Sequence, residues 1–422
     1  MKIRITNENS TSSLLKSKRR AGVALLLAAI IGLGQAAESV QAQTRTGSQP
    51  STGTTPQQGR GVGDVTDGTV DINFERMSLD LRLALENKTV GYGFAIFHNG
   101  KLQKSRSGGY ARRTPDTTPD HEILFEKESR VDIASSTKTI TSIAVLKALE
   151  MKGKTDEELI HKYLPTNWKV PASVKKLTFR DVLSHHSGLK KVTDGSYDGV
   201  RKSIEAGVSP DYKVDDYNQS DDDYQNINFV LCRVLLPYIV SGKVAITEND
   251  PVGGPETIAL CFVDSVRNLV FKPAGINKPI EFKPWDESGK LNKVPLIYNY
   301  KDKSVAGLMA NDHTLDCGAG GLFINAIELA QVMSALENNK ILSLKTRLMM
   351  KQHDLGIFRV GDSAYWQKNG GFSDSKGRGT STRLVLCPNN VQVAIVINST
   401  GNNLSSTFQI VKDAYENSAT KP

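Results

Sequence analysis

Ser135-Ser136-Thr137-Lys138 sets a hydroxyl and an amine three residues apart at the head of an apolar segment running from Ile140 through Val145 to Leu149. At a helix start these two side chains share one face, within about 5–6 Å at Cβ. An amine so placed can take the hydroxyl proton. Neither group does acyl chemistry unaided, because free serine is a weak nucleophile and a lysine at its ordinary pKa of about 10.4 is almost wholly protonated at neutral pH. The site must therefore lower the lysine pKa by about 3 units, roughly 4 kcal/mol, through burial among apolar groups or a second cation. Backbone N–H groups at the helix terminus could in addition stabilise an oxyanion.

Ser-x-x-Lys also occurs at Ser13/Lys16, Ser173/Lys176, Ser187/Lys190, Ser373/Lys376 and Ser418/Lys421. The setting distinguishes Ser135: Arg130-Val131-Asp132-Ile133-Ala134 has the pattern of an extended approach, and a buried helix follows. Two more clusters strengthen it. Tyr224-Gln225-Asn226 places a phenol and an amide two residues apart before the apolar run Ile227, Phe229, Val230, Leu231, Val234, Leu235 and Leu236, which predicts another helix. Lys368-Asn369-Gly370 is the one Lys-x-Gly of the chain and precedes segments of strand composition.

In this order the three motifs resemble those of the penicillin-binding-protein and β-lactamase superfamily of serine hydrolases, and within it the class C β-lactamase-like branch, whose second motif carries tyrosine. Leu183-Ser184-His185-His186-Ser187-Gly188-Leu189 is similar to that family's His-x-Ser-Gly-Leu turn, and Gly318-Ala319-Gly320-Gly321-Leu322 to its later glycine-rich segment. The resemblance covers roughly residues 74 to 415. It implies that Ser135 attacks a carbonyl, that Lys138 and Tyr224 share the proton transfers, and that Asn226 holds a substrate amide. Lys368 would sit near Tyr224, favour its phenolate form and draw a carboxylate, with Asn369 and Gly370 beside the substrate. The backbone N–H groups of Ser135 and Gly371 would form the oxyanion hole. One departure stands out: Asn369 occupies the position where penicillin-recognising members usually have threonine or serine, so a carboxylate-binding hydroxyl is missing. No metal or organic cofactor is implied.

The elements that must position these groups are partly visible. Phe74, Met77, Leu81 and Leu85 recur at helical spacing, and an apolar stretch from Val90 to Phe97 ends in an Asn99-Gly100 turn, predicting a helix and then a hairpin. Near the other end, Leu384 to Leu386 and Val391 to Ile397 flank Pro388-Asn389-Asn390 as a second hairpin, followed by a helix near Phe408 to Tyr415. The two ends are expected to share one antiparallel sheet. The expected architecture is α/β (α+β): an antiparallel sheet flanked by N- and C-terminal helices, with a mostly helical subdomain inserted. The α/β part is assigned to about 71–140 and 340–418, the helical part to about 141–339, and loops to the regions around Pro210 to Asp223 and Gly242 to Gly254.

Lys16, Lys18, Arg19 and Arg20 precede an apolar stretch from Ala21 to Leu33, and Val40-Gln41-Ala42 supplies small residues for cleavage. Residues 1–42 therefore have the pattern of a secretory leader, too short in its apolar part for a comfortable membrane span, and predict a secreted or periplasmic protein. Residues 43–70 are rich in Gly, Thr, Ser, Gln and Pro, without the periodic apolar residues needed to offset ordering, and are expected to be a disordered tether. Their Gly59-Arg60-Gly61-Val62-Gly63 follows no strand and so lacks the context of a phosphate loop.

The formal charge of +8 includes six basic residues and two acids in residues 1–42, leaving 8 − 4 = +4 after processing. No Lys/Arg cluster is interleaved with aromatics, so nucleic acid is not an expected partner. The expected partner is a small-molecule or peptide substrate, with peptidoglycan-derived peptides among the candidates. Four cysteines, Cys232, Cys261, Cys317 and Cys387, allow three full disulfide pairings in an oxidising compartment, though the apolar helical settings of Cys232 and Cys261 favour buried thiols. His185-His186 points to opposite faces with no acidic partner motif, which favours a turn over a metal site, and Gly318 to Gly321 suits a backbone turn better than a phosphate cradle. The sequence thus predicts a serine hydrolase acting on a D-alanyl peptide, β-lactam or small ester through an acyl-enzyme. A non-catalytic binder of cell-wall peptide or penicillin, using the same cleft, is the alternative.

Overall fold

A computed structural model of the chain describes residues 70–190, 195–209, 224–241, 254–285 and 290–420. The predicted leader, nearly all of the tether with its Gly59–Gly63 segment, and the two loops before Tyr224 and Gly254 lie outside these residues. The body spans Ile72–Ala419.

The first helix, Phe74–Leu85, buries Met77, Leu81 and Leu85 at steps of four, and Asn73 caps it by accepting from the Arg76 N–H at 2.9 Å. Its chain then enters the strand Gly91–His98, which is buried along nearly its whole length. Asn99 and Gly100 adopt positive φ values of 49° and 80°, the backbone that a two-residue hairpin turn requires, and return the chain as Lys101–Arg112. Asn389 and Asn390, both at φ 55°, do the same between Gly379–Cys387 and Val391–Ile397. The two hairpins meet edge to edge, because Val391–Ile397 pairs antiparallel with Gly91–His98 from Val391↔His98 to Ile397↔Tyr92. Chain ends some 300 residues apart thereby build one sheet, as the sequence predicts.

The motif-bearing strand Trp366–Ser373 is added on the other side of Gly379–Cys387, with Lys368 opposite Leu384 and Gly370 opposite Thr382. Layered on the sheet lie Phe74–Leu85 and the closing helix Thr407–Ser418, and also Ala326–Glu337. That last helix corrects a boundary. The helical part was assigned through residue 339, yet Tyr298–Asn299 already pairs with the sheet and Ala326–Glu337 packs against it. Strands of two residues carry no readable periodicity, and a helical pattern does not say what the helix packs on.

Thr137–Met151 runs through the middle of the molecule with twelve buried residues, and is apolar around most of its circumference, as a helix enclosed on all sides must be. Its threonines find carbonyl acceptors in distant segments: Thr139 Oγ1 donates to Gly356 O at 2.6 Å and Thr141 Oγ1 to Gly318 O at 2.8 Å. Beside it lies Ile227–Ser241, also buried nearly throughout. The four cysteines are buried free thiols. Among the described residues no helix is long and apolar enough to cross a membrane.

One buried ion pair ties the approach to the nucleophile to the sheet-packing helix. Arg130 Nε donates to Glu328 Oε2 at 3.0 Å and Arg130 Nη1 to Pro279 O at 2.7 Å, while Glu328 also accepts from the Asn325 N–H at 3.0 Å within a capping box. Removing one partner of such a pair strands a buried charge. Glu328→Gln is expected to lower stability by about 3 kcal/mol or more, measured as a shift in urea midpoint; a loss below about 1 kcal/mol would contradict the assigned role.

Candidate active site

The nucleophile sits on a tight turn. Val131–Asp132 pairs with Phe323–Ile324, Ile133 N donates to Leu322 O at 2.9 Å, and the chain then curls through Ala134–Ser136 into the central helix. Ala134 takes φ 47°, a left-handed backbone that a residue with a Cβ adopts only under external constraint. Asp132 supplies the constraint. Its carboxylate, 3% exposed, accepts from the Ala134 N–H at 2.8 Å and the Gly321 N–H at 3.1 Å, so one side chain fixes both the turn and the glycine segment facing it. Burial raises the Asp132 pKa; the two N–H groups and His313 oppose that shift.

The strand carrying Lys368 locks the same turn from another side. Thr382 Oγ1 donates to Ile133 O at 2.9 Å, which leaves Ser136 Oγ to donate to Thr382 Oγ1 at 2.9 Å. Gly370 lies opposite Thr382 across the ladder, and a Cβ there would stand 2.2 Å from Ile133 O and 2.8 Å from Ser136 N. Glycine is what allows this strand to lie against the nucleophile turn.

Lys138 is wholly buried. Its amine lies 3.0 Å from Ser135 Oγ and donates to Ala319 O at 2.7 Å. Gly318, at φ 108°, brings that carbonyl into range; a Cβ on it would fall 2.4 Å from Phe229 O. Burial pushes the Lys138 pKa well below its ordinary value, the charge of Lys368 pushes the same way, and Asp132 opposes both. Burial and the neighbouring lysine thus both favour the neutral form of the amine, the form that can accept the Ser135 proton.

Tyr224 bridges the two lysines. Its ring centroid is 5.0 Å from Lys138 Nζ and 4.9 Å from Lys368 Nζ, and its hydroxyl bonds to Ser135. Lys368, 2% exposed, also lies 4.7 Å from the Phe358 ring, and burial lowers its pKa to about 7. The sequence expectation had Lys368 favouring the phenolate. In the structure burial raises the Tyr224 pKa and only the Ser135 bond opposes it, so the phenol rests protonated. A lysine that is itself half uncharged at neutral pH cannot hold a phenolate beside it.

His185 does more than shape its turn, although its φ of 66° does that too. Its ring lies 4.3 Å from Tyr224 and 5.0 Å from Phe229, centroid to centroid, and its Nδ1 is 3.4 Å from Asn228 Nδ2. Burial, then the charges of Lys368 and Lys138, press its pKa down to about 2. It packs against Tyr224 as a neutral ring.

A cavity of about 480 Å³ opens over Ser135, lined also by Asn226 and Gly371. Asn226 is exposed at the mouth of its helix, where its carbonyl accepts from Phe229 N and Val230 N at 3.0 Å each. Ser135, Lys138, Tyr224 and Lys368 thus converge, with Asn226 and Gly371 lining the same cleft and Gly370 packed against the turn beneath Ser136. Asn369 does not line the cavity. Strand alternation exposes it between buried Lys368 and Gly370, in an adjoining groove with Ser381 and Arg383 that shares Gly371, Phe372 and Ser373 with the cavity. Sequence analysis missed Asp132, Ala134, Phe229, Phe358, His313 and Asp316 as parts of the site. Of these only Asp132, three residues before Ser135, had a positional signal.

A serine and lysine at the head of a buried helix, flanked by an antiparallel sheet and a tyrosine from a second helix, define the β-lactamase and transpeptidase class of fold. Residues 73–239 match the Beta-lactamase family model. No curated protein sequence matches it. Among solved structures it is similar to FmtA from Staphylococcus aureus, with 18% identity over 85% of this chain and 93% of that one and a TM-score of 0.62. It is similar also to a β-lactamase/D-alanine carboxypeptidase from Yersinia pestis, at 16% identity over 81% and 98% of the two chains and a TM-score of 0.58. A D-amino acid amidase from Ochrobactrum anthropi gives 18% identity over 82% and 99%, with a TM-score of 0.57. At these identities the likeness is one of fold.

Two outcomes follow from this geometry. A lysine of ordinary pKa loses neutral fraction about tenfold per pH unit on acidification, so labelling of Ser135 by an uncharged fluorophosphonate would fall about 100-fold from pH 9 to 7. With Lys138 held neutral the rate should instead stay within about threefold, and Lys368→Met should move the acid limb to higher pH, because it removes a charge that keeps the amine deprotonated. Gly370→Ala should cost about 1–3 kcal/mol and slow the same labelling; an unaltered melting temperature and rate would show that the strand does not press on the turn.

Proposed function

We propose that the protein is a serine acyl hydrolase that works through an ester on Ser135. The observation that carries this reading is the buried amine of Lys138, its pKa lowered, at 3.0 Å from Ser135 Oγ. As Ser135 Oγ bonds to the substrate carbonyl carbon, its proton passes to Lys138 Nζ. The carbonyl oxygen gains the negative charge, and the N–H groups of Ser135 and Gly371 are the donors assigned to it. Tyr224, bonded to Ser135 and within reach of both lysines, passes its proton to the departing oxygen or nitrogen as its bond to the acyl carbon breaks and takes the former Ser135 proton from Lys138 in return, which restores both groups. Water then repeats the sequence and frees Ser135.

Asn226, exposed on the cleft, is assigned to the substrate amide. The tyrosine in the second motif supports the class C-like branch, and the names of similar structures, a D-alanine carboxypeptidase and a D-amino acid amidase, support amide or ester substrates built on amino acids. The leader pattern of residues 1–42 supports work outside the cytoplasm.

Intact-protein mass after incubation with a fluorophosphonate and with penicillin should show a Ser135-dependent adduct with at least one reagent, absent from Ser135→Ala. Lys138→Ala should slow acylation on the order of 10³-fold while the fold persists, and Tyr224→Phe should slow turnover and let acyl-enzyme accumulate. Tight binding of a muropeptide with no adduct and no hydrolysis would favour the non-catalytic binder instead.

A further inference from the structure

The walls of the cavity over Ser135 carry an unusual charge for a site that takes carboxylate-bearing donors. Among the described residues no lysine or arginine lines it, and its charged side chains are Asp132, His313, Asp316 and Asp374. Lys368, the cation nearest the nucleophile, is 2% exposed, and Asn369 lies in the adjoining groove. Asp374 is engaged by Arg378 at 2.6 Å.

Asp316 differs from the other acids. Its side chain is 47% exposed, and His313 Nδ1 spans its two oxygens at 3.1 and 3.4 Å, which orients the carboxylate without covering it. The same imidazole has its Nε2 3.8 Å from Asp132 Oδ2. Two carboxylates therefore share one imidazole, of which only that of Asp316 is open to the cavity. The rest of the lining is largely apolar: Ile297, Leu308, Met309, Ala310 and Phe372. Reciprocal backbone bonds between Ile297 and Leu308, at 2.9 and 3.0 Å, fix that part in place.

We propose that Asp316 selects acyl donors that carry an ammonium group beside an apolar side chain, and that the cavity disfavours donors bearing a carboxylate. This rests on the serine hydrolase reading and names the substrate class for it: esters or amides of aliphatic or aromatic amino acids with a free amine. In the reaction the ammonium stays intact; Ser135 Oγ takes the aminoacyl group, and the alcohol or amine leaves with a proton. A carboxylate in place of the ammonium would meet Asp316, with no lysine or arginine among the described lining residues to offset the repulsion, so discrimination works by rejection as well as attraction.

The test uses nitrophenyl esters of phenylalanine, both enantiomers, with the amine free, acetylated or succinylated, assayed on the whole protein. Values of kcat/KM should fall in that order, with about tenfold between the first two after correction for hydroxide-catalysed rates. Asp316→Asn should lower the free-amine to acetyl ratio about tenfold and Asp316→Lys should invert it, with circular dichroism confirming that each variant folds. Unchanged ratios in both variants, with Ser135-dependent turnover present, would overturn the assignment of Asp316 and leave the hydrolase standing. Absence of Ser135-dependent turnover of every ester would overturn both.

Discussion

An uncharged amine beside a hydroxyl, kept away from water, is the condition on which everything else in this molecule rests. In water Lys138 would be an ammonium and Ser135 an ordinary alcohol. Enclosing the lysine removes the solvation that its charged form needs, so deprotonation becomes the cheaper state. The enclosure explains why the helix that bears it is apolar on nearly every side: one wet flank would restore the ammonium. The carbonyl of Ala319 gives the neutral amine an acceptor without supplying a counter-charge strong enough to reprotonate it.

That condition is met by segments far apart in the chain. The approach to Ser135, the start of the tyrosine helix, the glycine turn at Gly318–Gly321 and the strand at Lys368 each contribute one face, and two devices hold them in register. Asp132 binds the nucleophile turn and the glycine turn with a single carboxylate. Thr382 and Gly370 let the sheet press on the turn from the other side. The left-handed backbone at Ala134 persists because these contacts over-determine it, which is how local strain is usually retained at reactive sites.

Charge is distributed along the cleft with a direction. Its lysines are interior and weakened: burial lowers the Lys138 pKa well below its ordinary value and that of Lys368 to about 7. Among the described residues no lysine or arginine lines the cavity, and Asp316 is its half-exposed acid. A buried lysine can tune a neighbour's protonation while offering little to a ligand, whereas a half-exposed carboxylate acts on the ligand and hardly on the buried proton transfers. On the proposed reading, catalytic and selective roles are separated by depth.

The residue types and spacings of the sequence alone determined that Ser135 and Lys138 share a face, and marked the tyrosine motif and the Lys-x-Gly strand, since three residues on a helix fix a shared face and Asn99-Gly100 or Asn389-Asn390 fixes a hairpin. They also predicted that the two ends share a sheet. What they could not carry was anything set by contact across the fold. Asp316 and His313 have no spacing that ties them to Ser135, His185 packs on Tyr224 only because a turn and a helix start meet, and the phenol's protonation depends on how deeply Tyr224 itself is enclosed. Asn369 belonged by sequence to the motif, yet the pleat turns it into the adjoining groove. Local geometry follows from covalent spacing, which the sequence contains; burial, and with it charge state and the character of the cavity, exists only once distant segments close over one another.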